Sequence, residues 1–239
     1  MNIRNTAFAA TLLAAAAFAA PVSAQVAGIA TADTSVAIAK AKALGQAYQQ
    51  IGSTFASNGQ LMQAKRKEIN DINVQLDINK DKELTQAELD VAIKAKNPLL
   101  AQIDAKQQEI NTLQDPIIKA QLFAVESIAM KYEAAQQAVI TAKKINVILT
   151  PEAFVWAPDA VDVTALITAE LDKSVPTVGT TPPADWRPSR QGAQLYQQIQ
   201  QLFDNAARMQ AAQAAQAAPQ PGQPADTPAP RPAAQPDSR

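Results

Sequence analysis

The residues best suited to chemistry stand together in one short polar stretch. Asp77-Ile78-Asn79-Lys80-Asp81-Lys82-Glu83-Leu84-Thr85-Gln86-Ala87-Glu88 carries Asp, Asn, Asp, Thr and Glu at its first, third, fifth, ninth and twelfth places. A calcium ion takes several hard oxygens at about 2.4 Å, and this spacing supplies them. Asp77, Asn79, Asp81 and Glu88 would give side-chain oxygens, Glu83 a backbone carbonyl, and Thr85 a direct or water-mediated contact. Other chemistries are poorly served. The 239-residue chain has no Cys and no His. That removes zinc fingers, disulfide frameworks, the usual haem ligands and thiol or imidazole catalysis. No Gly-rich phosphate loop and no G-x-S-x-G occurs. The acidic residues recur on polar helix faces, where solvated surface accounts for them better than paired catalytic carboxylates. The chain reads as a non-enzyme that requires no cofactor.

The twelve residues resemble an EF-hand calcium loop, with Leu84 to Lys94 (LTQAELDVAIK) like its exiting helix. They depart from it at the sixth place, Lys82, where the motif has Gly. A left-handed backbone there costs a non-Gly residue roughly 1 kcal/mol. Lys80 and Lys82 also lower the local negative charge, and there is no obvious second loop of this kind to pair with it. The other reading is a polar hairpin tip, since Asp and Asn favour turns. Both readings stay open at this point.

The stretch must be held by what flanks it, and both flanks are patterned as helices. From Leu44 a heptad runs through Tyr48, Ile51, Phe55, Asn58, Met62, Lys65, Ile69, Ile72 and Leu76, with spacings that alternate between four and three. Such alternation predicts a coiled-coil-like helix over about 36–76, roughly 60 Å long. Asn58 and Lys65 are polar and should weaken the middle of the seam. A second helix is predicted from Asn97-Pro98, a good N-cap followed by a proline suited to the first turn. It carries Ile103, Ile110 and Ile117 at intervals of seven, then Val125, Ile128, Tyr132, Ala135, Val139 and Ala142. It should reach about Lys144, with a kink or break at Pro116. Two helices of similar length around a turn region near 77–97 make an antiparallel helical hairpin over 36–144.

The remaining segments are organised around that hairpin. Met1 to Ala24 reads as a signal peptide. Arg4 supplies the positive charge, Ala7 to Ala20 the apolar run and Val22-Ser23-Ala24 the small-residue cleavage site. Val26 to Thr31 is a predicted strand. Ile145 to Leu149 and Phe154-Val155-Trp156 are two more, with Phe154 and Trp156 expected in the core of the body. Asp162-Val163-Thr164 should cap a short helix over 165–171. Residues 25–35 and 145–175 thus form a β-rich body. Eleven of the 16 prolines lie from Pro176 onward, so the folded unit should end near Val175. Beyond it come a Pro-rich linker (176–190), a candidate helix (191–218) and a disordered Pro/Ala/Gln tail (219–239).

The expected fold is mainly α with a small β body. A long antiparallel hairpin brings its two ends together, and the short strands meeting there are completed by other copies of the chain. At this point the sequence resembles a known family. A strand after the signal peptide, a long hairpin, then KKINVILTPEAFVWAPDAVDVTALITAEL (Lys143 to Leu171) is similar to the OmpH/Skp family of periplasmic chaperones. The resemblance implies a homotrimer with three helical arms. It implies an ATP-independent periplasmic holdase for unfolded outer-membrane β-barrel proteins. It also leaves room for contact with a membrane surface. Val36 to Ile145 holds 14 Lys and Arg against 12 Asp and Glu, a net of only +2. The whole chain carries −1, so nothing in it favours nucleic acid and long-range steering of acidic clients is weak. Two rival readings are a structural envelope spacer that uses the Pro-rich tail, and a calcium-responsive binding module at the hairpin tip.

Overall fold

The computed structural model describes residues 28–217. The expected signal peptide, the start of the first strand at 26–27 and the tail over 219–239 lie outside them. The described chain is a helical hairpin rising from a small base. Strand β1 (Ile29–Thr31) pairs in parallel with β2 (Val147–Leu149), in the register Ile29↔Val147 and Thr31↔Leu149. Gly28 turns the chain into β1 with φ +84°, and a Cβ there would collide with the Asn146 side chain. The Gly28 carbonyl accepts from the amides of Asn146 and Val147 at 2.7 and 2.9 Å, which fixes where the pairing begins.

The first arm is three helices where one was expected: α1 (Thr34–Ala39), α2 (Lys42–Thr54) and α3 (Ala56–Leu76). The break before α2 has a tertiary cause. Ala41 is extended, and the freed amide of Lys42 donates to Asp172 Oδ1 at 2.8 Å. A cap from a distant helix replaces continuity with the preceding turn. Phe55, with φ −105° and ψ 24°, separates α2 from α3. After the turn region comes α4 (Gln86–Lys94), then α5 (Pro98–Lys143), 46 residues and about 70 Å long. Asn97 caps α5 through Leu99 N at 3.0 Å, and left-handed Lys144 ends it.

The two arms meet along the heptad seam. All ten of its first-arm positions are buried or half-buried. On α5, Ile110, Val125, Ile128, Tyr132, Ala135 and Val139 are buried. Pro116 was expected to kink or break this helix, yet the helix runs through it without interruption. Proline offers no N–H to the Thr112 carbonyl and its ring crowds that turn. Asn58 Nδ2 on α3 donates to the adjacent Leu113 carbonyl at 2.9 Å. Lys65, the other polar seam residue, pairs with Glu109 at 2.8 Å, and Lys106 pairs with Glu68. The polar positions therefore brace the middle of the seam, where they were expected to weaken it.

Two further expectations are corrected at the base. Phe154-Val155-Trp156 is no strand. A 3-10 turn (Pro151–Ala153) precedes it, Val155 is fully exposed and Trp156 is 80% exposed. The place beside β1 is taken by a single bridge from Thr31 to Asp162, with Val163 N donating to the Thr31 carbonyl at 2.9 Å. Helix α6 (Thr164–Ser174) follows, its first amide held by Asp162 Oδ1 at 2.8 Å. The folded unit does not end near Val175. The Pro-rich segment lies against α5 through Trp186 and Phe123, and α7 (Arg190–Ala217) returns to the base. Its Leu195 and Ile199 join the core formed by Ile38, Leu44, Ile128, Ile167 and Leu171. Proline content marked a stretch without regular structure, but such a stretch can still pack.

Asn58→Ala should cost about 1 kcal/mol through the loss of one partly buried hydrogen bond. Pro116→Ala should stabilise α5, by up to about 3 kcal/mol. Urea unfolding of the two variants checks both signs. If both midpoints stay where they are, the seam gains nothing from this brace.

Candidate functional site

The polar stretch between the arms folds as a self-capped turn. Asp77 ends α3, and its two carboxylate oxygens accept from the amides of Lys80 and Lys82 at 2.7 and 2.8 Å. Asn79 Oδ1 accepts from Asp81 N at 2.9 Å, and Asp81 accepts from Glu83 N and from the Asn79 side-chain amide. Glu88 closes the turn from the first helical turn of α4. Its Oε1 accepts from the amides of Ile78 and Asn79 at 2.8 and 3.1 Å. Its Oε2 accepts from the amide and hydroxyl of Thr85 at 3.0 and 2.8 Å. Thr85 and Glu88 form a capping box on α4.

Five of the six residues singled out for calcium, Asp77, Asn79, Asp81, Thr85 and Glu88, come together in this hydrogen-bonded turn. Glu83 enters it through its backbone amide. The backbone is left-handed at Lys80 (φ 61°) and at Lys82 (φ 75°), the place where the calcium motif has glycine. The carboxylates, however, are turned onto backbone amides. Among the described residues, no three acidic side chains form a group able to hold a metal ion. The capping box was readable as T-x-x-E at 85–88, a signal the calcium spacing obscures because both use Glu88.

Apolar surface gathers at three heights on the molecule. At the tip, Ile78, Val91 and Ile93 are exposed. Midway, Leu61, Ala105, Thr112 and Leu113 line an open groove beside the Lys65–Glu109 pair. At the base, Ile29, Val147 and Leu149 are exposed on the two short strands, with Val155 and Trp156 just beyond. Of this last group, Trp156 was expected in the core of the body, and its exposure is what sequence reading missed.

The donors around Glu88, led by the Thr85 amide, hold its carboxyl down at about 2. Its folded value lies below the unfolded value of about 4.3. The stabilisation it gives is therefore complete above the unfolded value and is lost as pH falls toward 2. Amide hydrogen exchange at Ile78, Asn79 and Thr85 should show protection near pH 6 that fades between about pH 4 and 2. Glu88→Gln should show the faded pattern already at pH 6. Equal protection in the variant and the parent chain would mean that Glu88 does not hold the turn.

The base and both arms can be compared with known proteins. No curated protein matches the chain. Among solved structures, a proposed outer membrane chaperone (OmpH-like) from Caulobacter crescentus CB15 is 21% identical, covering 68% of this chain and 95% of that one, with a TM-score of 0.42. The family model for OmpH, outer membrane protein (OmpH-like), matches residues 28–171. That span runs from the glycine before β1 through the hairpin to the end of α6's buried face, and by it the chain belongs to the OmpH-like family.

Proposed function

We propose that the chain is an ATP-independent periplasmic holdase that encloses unfolded outer-membrane β-barrel proteins between helical arms. One observation carries the reading. A long, braced hairpin stands on a base whose sheet, among the described residues, has two three-residue strands and leaves Ile29, Val147, Leu149, Val155 and Trp156 in solvent. Strands this few and this short do not sustain a sheet alone in water. Apolar groups gathered beside open strand edges favour association of copies. Three copies joined there would set three arms around one space. Apolar grooves such as that at Leu61 and Leu113 would hold a client by many weak contacts, with no nucleotide needed for release. Enclosure keeps the client's strand edges from pairing with one another. The signal-peptide reading of residues 1–24 supports a periplasmic location.

Sedimentation of the full chain at micromolar concentration should give the mass of three chains. Trp156→Asp combined with Val147→Asp should shift it toward monomer. Light scattering of a urea-diluted barrel protein should be suppressed at one trimer per client and much less by the double variant. A parent chain that sediments as a monomer and gives no protection overturns the reading.

The left-handed backbone at Lys82 favours a second reading for the tip alone. Calcium would bind if Asp77 and Glu88 exchanged their backbone donors for the ion. The expected sign is weak, saturable binding, lost in Asp77→Ala with Glu88→Ala. A flat calorimetric titration at millimolar calcium leaves the self-capped turn as the whole account of this loop.

A further inference from the structure

Residues 172–217 lie beyond the stretch that the family model matches, yet the connecting segment and the first half of α7 pack onto the base. The connecting segment is seated first. Val178 packs against the core, and Trp186 meets Phe123 edge-on at 5.3 Å. Ser189 N, just before α7, donates to Glu126 Oε1 on α5 at 3.3 Å. Gly192 lets the first turn of α7 settle over that carboxylate, because a Cβ would stand 3.0 Å from Glu126 Cδ. A carboxylate under a helix N-terminus also complements the partial positive charge there.

The next turns touch both arms at once. Leu195 and Ile199, four residues apart, are buried in the core. The Tyr196 hydroxyl donates to Gln121 Oε1 on α5 at 2.8 Å. The Gln200 amide donates to the Tyr48 hydroxyl on α2 at 3.0 Å, and Phe203 rests edge-on against Tyr48 at 5.9 Å. Burial pushes the Tyr48 hydroxyl above its usual range. From Asp204 to Gln216 every residue is exposed. Only the first half of this 28-residue helix is docked.

Anchors at Leu195, Ile199 and Phe203 follow the i, i+4, i+8 pattern of an amphipathic helix lying in a groove. Two buried aliphatic side chains and three polar contacts, to Glu126, Gln121 and Tyr48, are a modest hold. Short tethering through residues 176–189 raises the local concentration of α7 and offsets that weakness. We propose that the base of the hairpin, between α1 and α5 with Tyr48 of α2 at its edge, is a groove for amphipathic helical segments. Helix α7 is its built-in occupant, displaced when a client segment with aliphatic anchors at i and i+4 and an aromatic one turn later takes its place. The groove stands on the geometry alone, and the identity of the displacing segment rests on the holdase reading.

The test uses the full chain carrying Leu195→Asp and Ile199→Asp, which should vacate the groove while circular dichroism and thermal melting report arms still helical. A fluorescent peptide of residues 190–217 should bind this variant saturably and the parent chain at least tenfold more weakly. The variant should suppress aggregation of a urea-diluted barrel protein at a lower molar ratio than the parent, and added peptide should remove that gain. Absence of peptide binding to the folded variant overturns the groove. Collapse of the arms in the variant overturns it too, since the fold would then depend on α7 and could not release it. Peptide binding with unchanged barrel-protein protection overturns displacement by clients. A parent chain that protects nothing counts against the holdase reading and leaves the peptide arm to decide the groove.

Discussion

Everything in this molecule depends on one long, thin contact, the seam between the first arm and α5. Its residues are mostly small or medium aliphatics, and alanine lines much of the base, where Ala37, Ala43, Ala47 and Ala124 are almost completely buried. Such a seam brings two helices close but buries little area per residue. Its stability comes from length, and a weak spot in the middle would cost the distal half its support. The polar contacts of Asn58, Lys65 and Lys106 lie in that middle region. They act across the arms over the stretch of α5 that leads up to Pro116, where a helical donor is missing.

The same thrift governs the two ends. At the tip, few apolar groups are available to pin the turn. Ile72, Leu76 and Ala92 form a small second core, separate from that of the base. Side-chain carboxylates accepting backbone amides do the rest, and Glu88 alone satisfies three amides and a hydroxyl. At the base, the sheet is too small to close on itself, and the additional helix α7 covers part of what the arms leave open.

The hairpin was legible because its signal is periodic. Ten residues alternating by three and four, and an Asn-Pro pair placed to start a helix, specify both arms and their facing sides. Breaks within the first arm were not legible, because the one at Ala41 depends on Asp172, more than a hundred residues away. Phe154-Val155-Trp156 has strand composition, but its neighbour's position was already taken by Asp162. The end of the fold was misjudged because proline density speaks of regular structure and not of packing. Trp186, isolated in that segment, was the available clue. For the polar loop, one Glu served two patterns, and residue types alone do not separate an ion ligand from a helix cap.

The parallel pairing of β1 with β2 has a consequence for how the molecule is made. These strands stand more than a hundred residues apart in sequence, while the arms are joined through the region that holds α4 and zip up from nearer contacts. Close partners are found sooner than remote ones. A growing chain can therefore own most of its lever before it has any platform. A truncated copy lacking β2 would keep much of both arms yet have no paired strands to stand them on, so the platform is finished only when the chain is nearly complete.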